Sequence, residues 1–297
     1  MPSYLTIVHA LSALHAGTGQ GSGTIDLPIA REKATGLPYL PGSSLKGTLR
    51  THCAEEKRKE IFGSENAEGG FANAGMIQIS DQRLLLLPVR SLAGTFAWVT
   101  SPYVLRRLKR DLAELNIGQQ VPGIPQIAPD SEEAWVVEGE DRCALIAAPE
   151  NRSLYLEELD LTAQPDPRVT RWAEWLGSLI FPDGSDKDWQ RVLLGRLCIV
   201  HDDILSFLLK TGTEVTARIR LEEQSKTVIP GALWYEEALP AETILSGLAL
   251  TTPELRKTPG IDIDNELKEI VKRPLQLGGK STVGRGLCRV HLIDRER

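Results

Sequence analysis

The chain has 297 residues, 41% of them hydrophobic and 25% charged, with 34 Lys and Arg against 40 Asp and Glu for a formal charge of −6. That apolar content at so modest a charge excludes a disordered chain and suffices for one large domain or two of about 150 residues. No run of about 18 apolar residues occurs, which excludes a membrane-spanning helix, and Met1-Pro2-Ser3-Tyr4 opens without the basic-then-apolar pattern of a secretory signal, so the chain reads as cytoplasmic.

Leu5-Thr6-Ile7-Val8-His9-Ala10-Leu11 is rich in β-branched and apolar residues and predicts an opening strand. A glycine-rich loop at 15–23 leads into Ile25-Asp26-Leu27-Pro28. A helix is expected to start at Pro41-Gly42-Ser43-Ser44, with either serine as its cap, and to run through Leu45, Leu49 and Cys53 towards Ile61. Residues 63–75 are glycine-rich and read as a mobile connection. Residues 76–90 are strand-like, 101–115 basic and helical in pattern, and 189–209 carry helix and strand signals together. Glu214-Val215-Thr216-Ala217-Arg218-Ile219-Arg220-Leu221 alternates polar and apolar with period two, a strand. Leu233-Trp234-Tyr235, after Pro230-Gly231, returns beside it as a long hairpin. Residues 237–250 read as a helix, or a helix and then a strand, and 287–293 as a terminal strand. No repeat or clean boundary divides the chain, which is expected to form a single module of mixed α+β class.

Charge is concentrated. Residues 122–168 hold eleven acids against three arginines, a local charge of −8, so the rest of the chain carries +2. An acidic total argues against a generic nucleic-acid binder. The basic runs Arg106-Arg107-Leu108-Lys109-Arg110 and Lys272, Arg273, Lys280, Arg285 and Arg289 nevertheless leave phosphate binding open. The four cysteines (Cys53, Cys143, Cys198, Cys288) form no CxxC and the histidines no HxxxH, so no structural metal is expected and the thiols read as reduced.

Familiar enzyme signatures are missing. Gly279-Lys280-Ser281 suggests a P-loop, but Pro274 stands where that motif needs its first glycine, and a strand follows. Gly17, Gly19 and Gly21 miss GxGxxG because Ser22 and Thr24 fall at the third glycine; HExxH and GxSxG are absent. Two segments retain chemistry. In Leu40-Pro41-Gly42-Ser43-Ser44-Leu45-Lys46-Gly47-Thr48-Leu49-Arg50, small residues at a helix start would let a phosphate approach free N–H groups. Lys46 and Arg50, four apart, share a helical face there; a capped helix with solvated cations is the plainer alternative. The loop 278–286 has four glycines and two cations that could wrap a phosphate chain, or simply form a hairpin turn.

"LPYLPGSSLKGTLR", followed more than 200 residues later by "LQLGGKSTVGRG", resembles the RAMP superfamily of CRISPR proteins. The longer opening "HALSALHAGTGQGSGTIDLPIAREKATGLPYLPGSSLKGTLR" is similar to the backbone subunits of type III-B (Cmr) RNA-targeting effector complexes. So are "DQRLLLLPVRSLAGTFAWVTSP", "KTVIPGALWYEEALP" and His201-Asp202-Asp203. The resemblance implies one module over 1–297: a ferredoxin-like, RRM-type palm, a long β-hairpin thumb, and insertions near 99–140 and 214–240. It further implies copies stacked head to tail along a CRISPR RNA beside other subunits of the complex, each copy cutting the paired target RNA once.

Asp26, in "TIDLPIAREK", matches the family's catalytic aspartate. It could hold a hydrated Mg²⁺ beside the scissile phosphate, with the neighbouring ribose 2′-hydroxyl attacking in line. Without the resemblance, a lone loop aspartate reads as a turn residue. His15 is a candidate general base or RNA contact, and Tyr235 and Glu236 at the end of the hairpin are further catalytic candidates; packing is the alternative for all three. Ser43, Ser44, Lys46 and Arg50, with Gly278, Gly279, Lys280 and Arg285, are assigned to the guide-RNA backbone, because phosphates carry no sequence and base pairing reads the target. Lys280 departs from the family pattern, which has an acidic residue after the paired glycines. The competing readings are a non-catalytic guide-binding scaffold, which Asp26 counts against, and an endonuclease processing precursor CRISPR RNA, which "LWYEEALP" counts against.

Overall fold

The computed structural model describes residues 3–294 except 22, 65–73, 118–120, 129–130, 140–141, 183 and 253–260. Most of the connection expected at 63–75 lies outside the described residues. The chain opens with β1 (Ser3–Ala10), buried from Tyr4 onward because both of its faces are covered. Then come β2 (Tyr39–Leu40), α1 (Gly42–His52), α2 (Glu55–Phe62), β3 (Ile77–Ile79) and β4 (Gln82–Arg90). The helix expected to reach Ile61 is therefore two helices, since Cys53 and Ala54 adopt extended backbone between them. Neither serine caps α1. Pro41, which has no side-chain acceptor, takes the cap position, and the Gly42 N–H donates instead to Asp81 Oδ1 at 2.8 Å.

The chain continues through β5 (Phe96–Thr100), α3 (Pro102–Glu114), β6 (Glu133–Val136), β7 (Ser153–Leu156), β8 (Leu159–Pro165) and α4 (Pro167–Ile180). The mixed signals of 189–209 resolve as α5 (Lys187–Arg196), the wholly buried β9 (Leu197–Val200) and α6 (Asp202–Thr211). β10 (Glu214–Leu221) and β11 (Val228–Ala238) form the hairpin. No helix occupies 237–250; the end of β11 turns directly into β12 (Ile244–Thr251). β12 is buried at six of its eight positions, so its sequence loses the alternation that separates a strand from a helix. Last come α7 (Ile263–Val271), β13 (Leu275–Gln276) and β14 (Leu287–Ile293).

Four of these strands lie in the order β14-β1-β12-β4, each antiparallel to its neighbour. With α1 between β1 and β4, and α7 between β12 and β14, this is the ferredoxin-like βαββαβ arrangement. The sheet extends beyond β4 through β5, β9, β6, β8 and β7. Between β4 and β12 the chain leaves the palm for residues 91–243, and both segments expected as insertions fall within that excursion. The acidic stretch supplies β6, β7 and β8, whose Ala134, Val136, Leu154, Leu156, Leu161 and Ala163 are buried. One apolar core runs beneath the whole sheet, with Tyr4, Trp98 and Trp172 fully buried. All four cysteines are unpaired, and burial pushes the thiol of Cys53 up to about 11 and that of Cys288 to about 12. No helix among the described residues is long and apolar enough to cross a membrane.

β10 and β11 form a two-stranded sheet of their own, apart from the main sheet. Cross-strand partners share a face, so Ala217 lies with Tyr235 and Ile219 with Leu233 on one side, and Thr216 with Glu236 and Arg218 with Trp234 on the other. The first side is apolar and exposed. The second turns toward the tail loop. An isolated two-stranded hairpin is marginal in water, so its base must be fastened, and the fastening builds the site.

Candidate active site

Residues 16–21 fold back against residues 26–30. The Ala30 N–H donates to Ala16 O (2.7 Å), the Thr18 N–H to Pro28 O (3.3 Å) and the Gly21 N–H to Asp26 O (2.8 Å). The glycine-rich loop is thus pinned by backbone hydrogen bonds to the residues that follow it, with the Asp26 carbonyl accepting one of them. Leu27 is zipped onto β11: its N–H donates to Tyr235 O and its carbonyl accepts from the Glu237 N–H, both at 3.0 Å. Just before those bonds the Tyr235 N–H donates to Asp26 Oδ2 at 2.7 Å. Asp26 is exposed and lines a cleft of about 480 Å³, together with Gln20, Gly21, Arg220, Trp234 and Lys280.

One residue beyond, strand alternation turns Glu236 to the opposite face from Tyr235, where it is 3% exposed. Its Oε1 accepts from Lys280 Nζ and from Trp234 Nε1, each at 2.8 Å, and Arg218 Nε lies 3.4 Å from Oε2. Burial works against the charge. The Lys280 ammonium, the Trp234 N–H and the Arg218 guanidinium together outweigh burial and hold the carboxyl down at about 2. Glu236 is therefore a fixed anion at neutral pH and a poor proton acceptor. Tyr235 meets Asp26 through its backbone, while its ring lies on the exposed face of the hairpin.

His15 is buried, and its Nδ1 lies 2.6 Å from Glu237 O. A carbonyl can only accept, so Nδ1 carries the proton. The His15 carbonyl accepts from the Gly279 N–H at 2.9 Å, so this one residue joins the Asp26 segment, the thumb base and the tail loop. Glycine is required around it. A Cβ on Gly17 would stand 2.4 Å from His15 Nε2, and one on Gly278, where φ is +70°, 2.5 Å from His15 O.

The other expected guide contacts lie elsewhere. Ser43 is exposed at the start of α1 and Ser44 half-buried. Lys46 Nζ donates to Ile77 O at 3.0 Å, and Arg50 donates to Gly63 O. Burial, with the Arg50 charge beside it, lowers the Lys46 ammonium below the usual lysine range. Arg285 is buried, donates to Thr216 Oγ1 at 3.2 Å and fastens the tail loop to β10. Thr48 Oγ1 donates to Gln276 O at 3.2 Å and sets α1 against the same tail.

The structure thus gathers Asp26, His15, Tyr235, Glu236 and Lys280 at the thumb base and leaves Ser43, Ser44, Lys46 and Arg50 on α1. Sequence reasoning missed Arg218, Arg220 and Trp234, whose signal was two arginines at period two in a strand. It also missed Arg31 and Glu237. The buried Glu237 carboxylate accepts from Arg31 Nη2 (2.6 Å), Thr213 Oγ1 (3.0 Å) and the Ile29 N–H (3.1 Å), tying the Asp26 segment to the hairpin. No three His, Cys, Asp or Glu side chains converge as metal ligands among the described residues. A divalent cation would meet one carboxylate here, which suits Mg²⁺ arriving with its waters and an RNA phosphate.

A family comparison decides the lineage: the RAMP superfamily profile matches residues 7–289. The chain belongs to the RAMP superfamily. Within it, the chain is 36% identical over 306 aligned residues to the CRISPR system Cmr endoribonuclease Cmr4 of Pyrococcus furiosus, covering 99% of this chain and 97% of that one. Among solved structures it resembles oligomeric Cmr4 from Pyrococcus furiosus, with a TM-score of 0.72, 30% identity and 98% of both chains covered. It also matches in fold a chain of the type III-B Cmr-beta complex bound to cognate target RNA, with a TM-score of 0.69 at 21% identity over 98% of this chain and 96% of that one. The palm of this RAMP chain and its standing hairpin are the features that the sequence resemblance implied.

Proposed function

We propose that this chain is the repeating backbone subunit of a type III-B CRISPR effector, binding the CRISPR RNA and cutting complementary target RNA once per copy. The observation that carries the reading is the Tyr235 N–H holding Asp26, the residue that the resemblance implies to be catalytic, at the mouth of an open cleft. One oxygen of the carboxylate is fixed by that bond, so its direction is set before RNA arrives, the pre-organisation that catalysis by positioning requires. The hairpin beside the cleft presents an exposed apolar face suited to unstacking bases. An unstacked nucleotide can bring its 2′-hydroxyl in line with the neighbouring phosphorus. The 2′-oxygen then bonds to phosphorus as the bond to the 5′-oxygen breaks, leaving a 2′,3′-cyclic phosphate and a 5′-hydroxyl. Asp26 would hold a hydrated Mg²⁺ with the RNA phosphate, and when bound the cation supplies positive charge to the developing phosphorane. His15 and Arg285, both buried, support the reading as fasteners of the loops that frame the cleft.

The test is cleavage of end-labelled, guide-complementary RNA by the reconstituted complex with Mg²⁺, wild type beside Asp26→Ala. The expected result is a ladder of evenly spaced cuts that disappears in the variant while guide binding is retained. An undiminished ladder in the variant overturns the assignment of Asp26, and loss of guide binding in step with cutting makes it an RNA contact.

A further inference from the structure

Lys280 occupies an unusual place for a loop cation. The backbone of its loop is left-handed at Gly278, Lys280, Gly284 and Gly286 (φ +70°, +66°, +79° and +81°), and Lys280 alone of these carries a side chain. A non-glycine residue held there stores backbone strain that a glycine would avoid. The surrounding structure enforces it: the Lys280 carbonyl accepts from the N–H groups of Val283 (3.2 Å) and Arg285 (3.3 Å), and the preceding Gly279 N–H is tied to His15 O. Thus the lysine is aimed, and what it is aimed at is the cleft holding Asp26.

A loop lysine, a hydrated point charge on a flexible four-carbon stem, is ordinarily free to move in solvent. Lys280 is instead anchored on a buried carboxylate, Glu236, that is itself gripped by Trp234 and Arg218. Glu236 directly follows Tyr235, whose N–H holds Asp26, so one short stretch of β11 positions both the carboxylate and the ammonium. An ammonium has three N–H donors, and Glu236 takes one. The remaining two are available to a phosphoryl group entering the cleft.

We propose that Lys280 is a catalytic residue of this chain, its ammonium donating to a non-bridging oxygen of the scissile phosphate, and that Glu236 is the positioning residue that aims it. This rests on the cleavage reaction proposed above. As the 2′-oxygen bonds to phosphorus, negative charge gathers on the non-bridging oxygens, and a pre-aimed cation stabilises it more than the ground state. It also offsets the repulsion between the Asp26 carboxylate and the incoming phosphate. Solvent carries away the 2′-hydroxyl proton and returns one to the departing 5′-oxygen, so the lysine stays protonated throughout.

The experiment uses the reconstituted complex and single-turnover cutting at saturating target RNA. Lys280→Asn removes the charge with a residue that tolerates left-handed backbone, and it should slow cutting by roughly 100-fold with guide and target affinity unchanged. Lys280→Arg, which keeps the charge, recovers part of the rate. Glu236→Gln slows cutting as well, and the double variant is no slower than Lys280→Asn alone, because both act through one ammonium. Sulfur in place of one non-bridging oxygen slows the wild type stereospecifically but slows Lys280→Asn no further. An unchanged rate in Lys280→Asn, with the ladder still lost in Asp26→Ala, overturns this inference and leaves the cleavage reading standing. A loss of guide affinity that accounts for the whole defect also overturns it, making Lys280 a guide contact. A wild-type complex that cuts nothing overturns the cleavage reading and the inference together.

Discussion

Two adjacent glutamates at the thumb base do different work, and the difference is set by their partners. Glu237 accepts from Arg31, Thr213 and the Ile29 N–H while buried, so Glu237→Ala leaves the Ile29 N–H without its acceptor, while Arg31 keeps the Gly36 and Leu209 carbonyls. Losing a buried acceptor of this kind costs about 1–3 kcal/mol; a thermal melt should show a midpoint lowered by several degrees, with Glu237→Gln between the two. Glu236 adds a pH dependence. Its carboxyl ordinarily titrates near 4.3 and in the fold titrates at about 2. The depressed value means that its stabilisation is complete above the unfolded value and is lost as pH falls through the folded one. Its contribution, on the order of 2–3 kcal/mol, disappears between about pH 4.3 and 2. Urea midpoints across that window should fall more steeply in the wild type than in Glu236→Gln. Equal slopes would mean that the anion is not held as its partners imply.

At the level of elements, what the sequence made legible was whatever local pattern decides. β10 was plain because Val215, Ala217, Ile219 and Leu221 alternate with polar residues, and α3 because its apolar positions recur at helical spacing. The start of α1 was placed correctly, but its cap was not. Asp81 comes from 39 residues away, and no local motif announces an acceptor brought in by a tertiary turn. β12 was ambiguous between helix and strand because burial of six of its eight positions erases alternation. The site divided along the same line: Asp26 and Glu236 were found through the resemblance, whereas the grip of Lys280 on Glu236 joins residues 44 apart in sequence and belongs to the fold. The cap supplies its own check. Asp81→Ala removes the acceptor at the α1 N-terminus and should cost about 1 kcal/mol in denaturant unfolding, with Asp81→Asn costing less. A neutral Asp81→Ala would mean that water caps the helix equally well.

For the whole molecule, what matters is that three distant parts of the chain frame the cleft. Asp26 arrives from the segment after β1, Arg218, Trp234 and Glu236 from the hairpin, and Lys280 from the tail loop, and the ferredoxin-like order sets β1 beside both β12 and β14 to bring the three together. A site built within one copy makes a quantitative claim about an assembly of many. When wild-type and Asp26→Ala chains are mixed in equal amounts and assembled on one guide, each cut in the ladder should fall to roughly half its wild-type intensity, because each position depends on the single copy seated there. A site that also needed the neighbour's Asp26 would fall to roughly a quarter by the same statistics. Sequencing-gel intensities of single-turnover products separate the two outcomes at every rung. The half-intensity ladder is expected, since Asp26 is held by its own chain's Tyr235 and faces cations of its own chain's hairpin and tail.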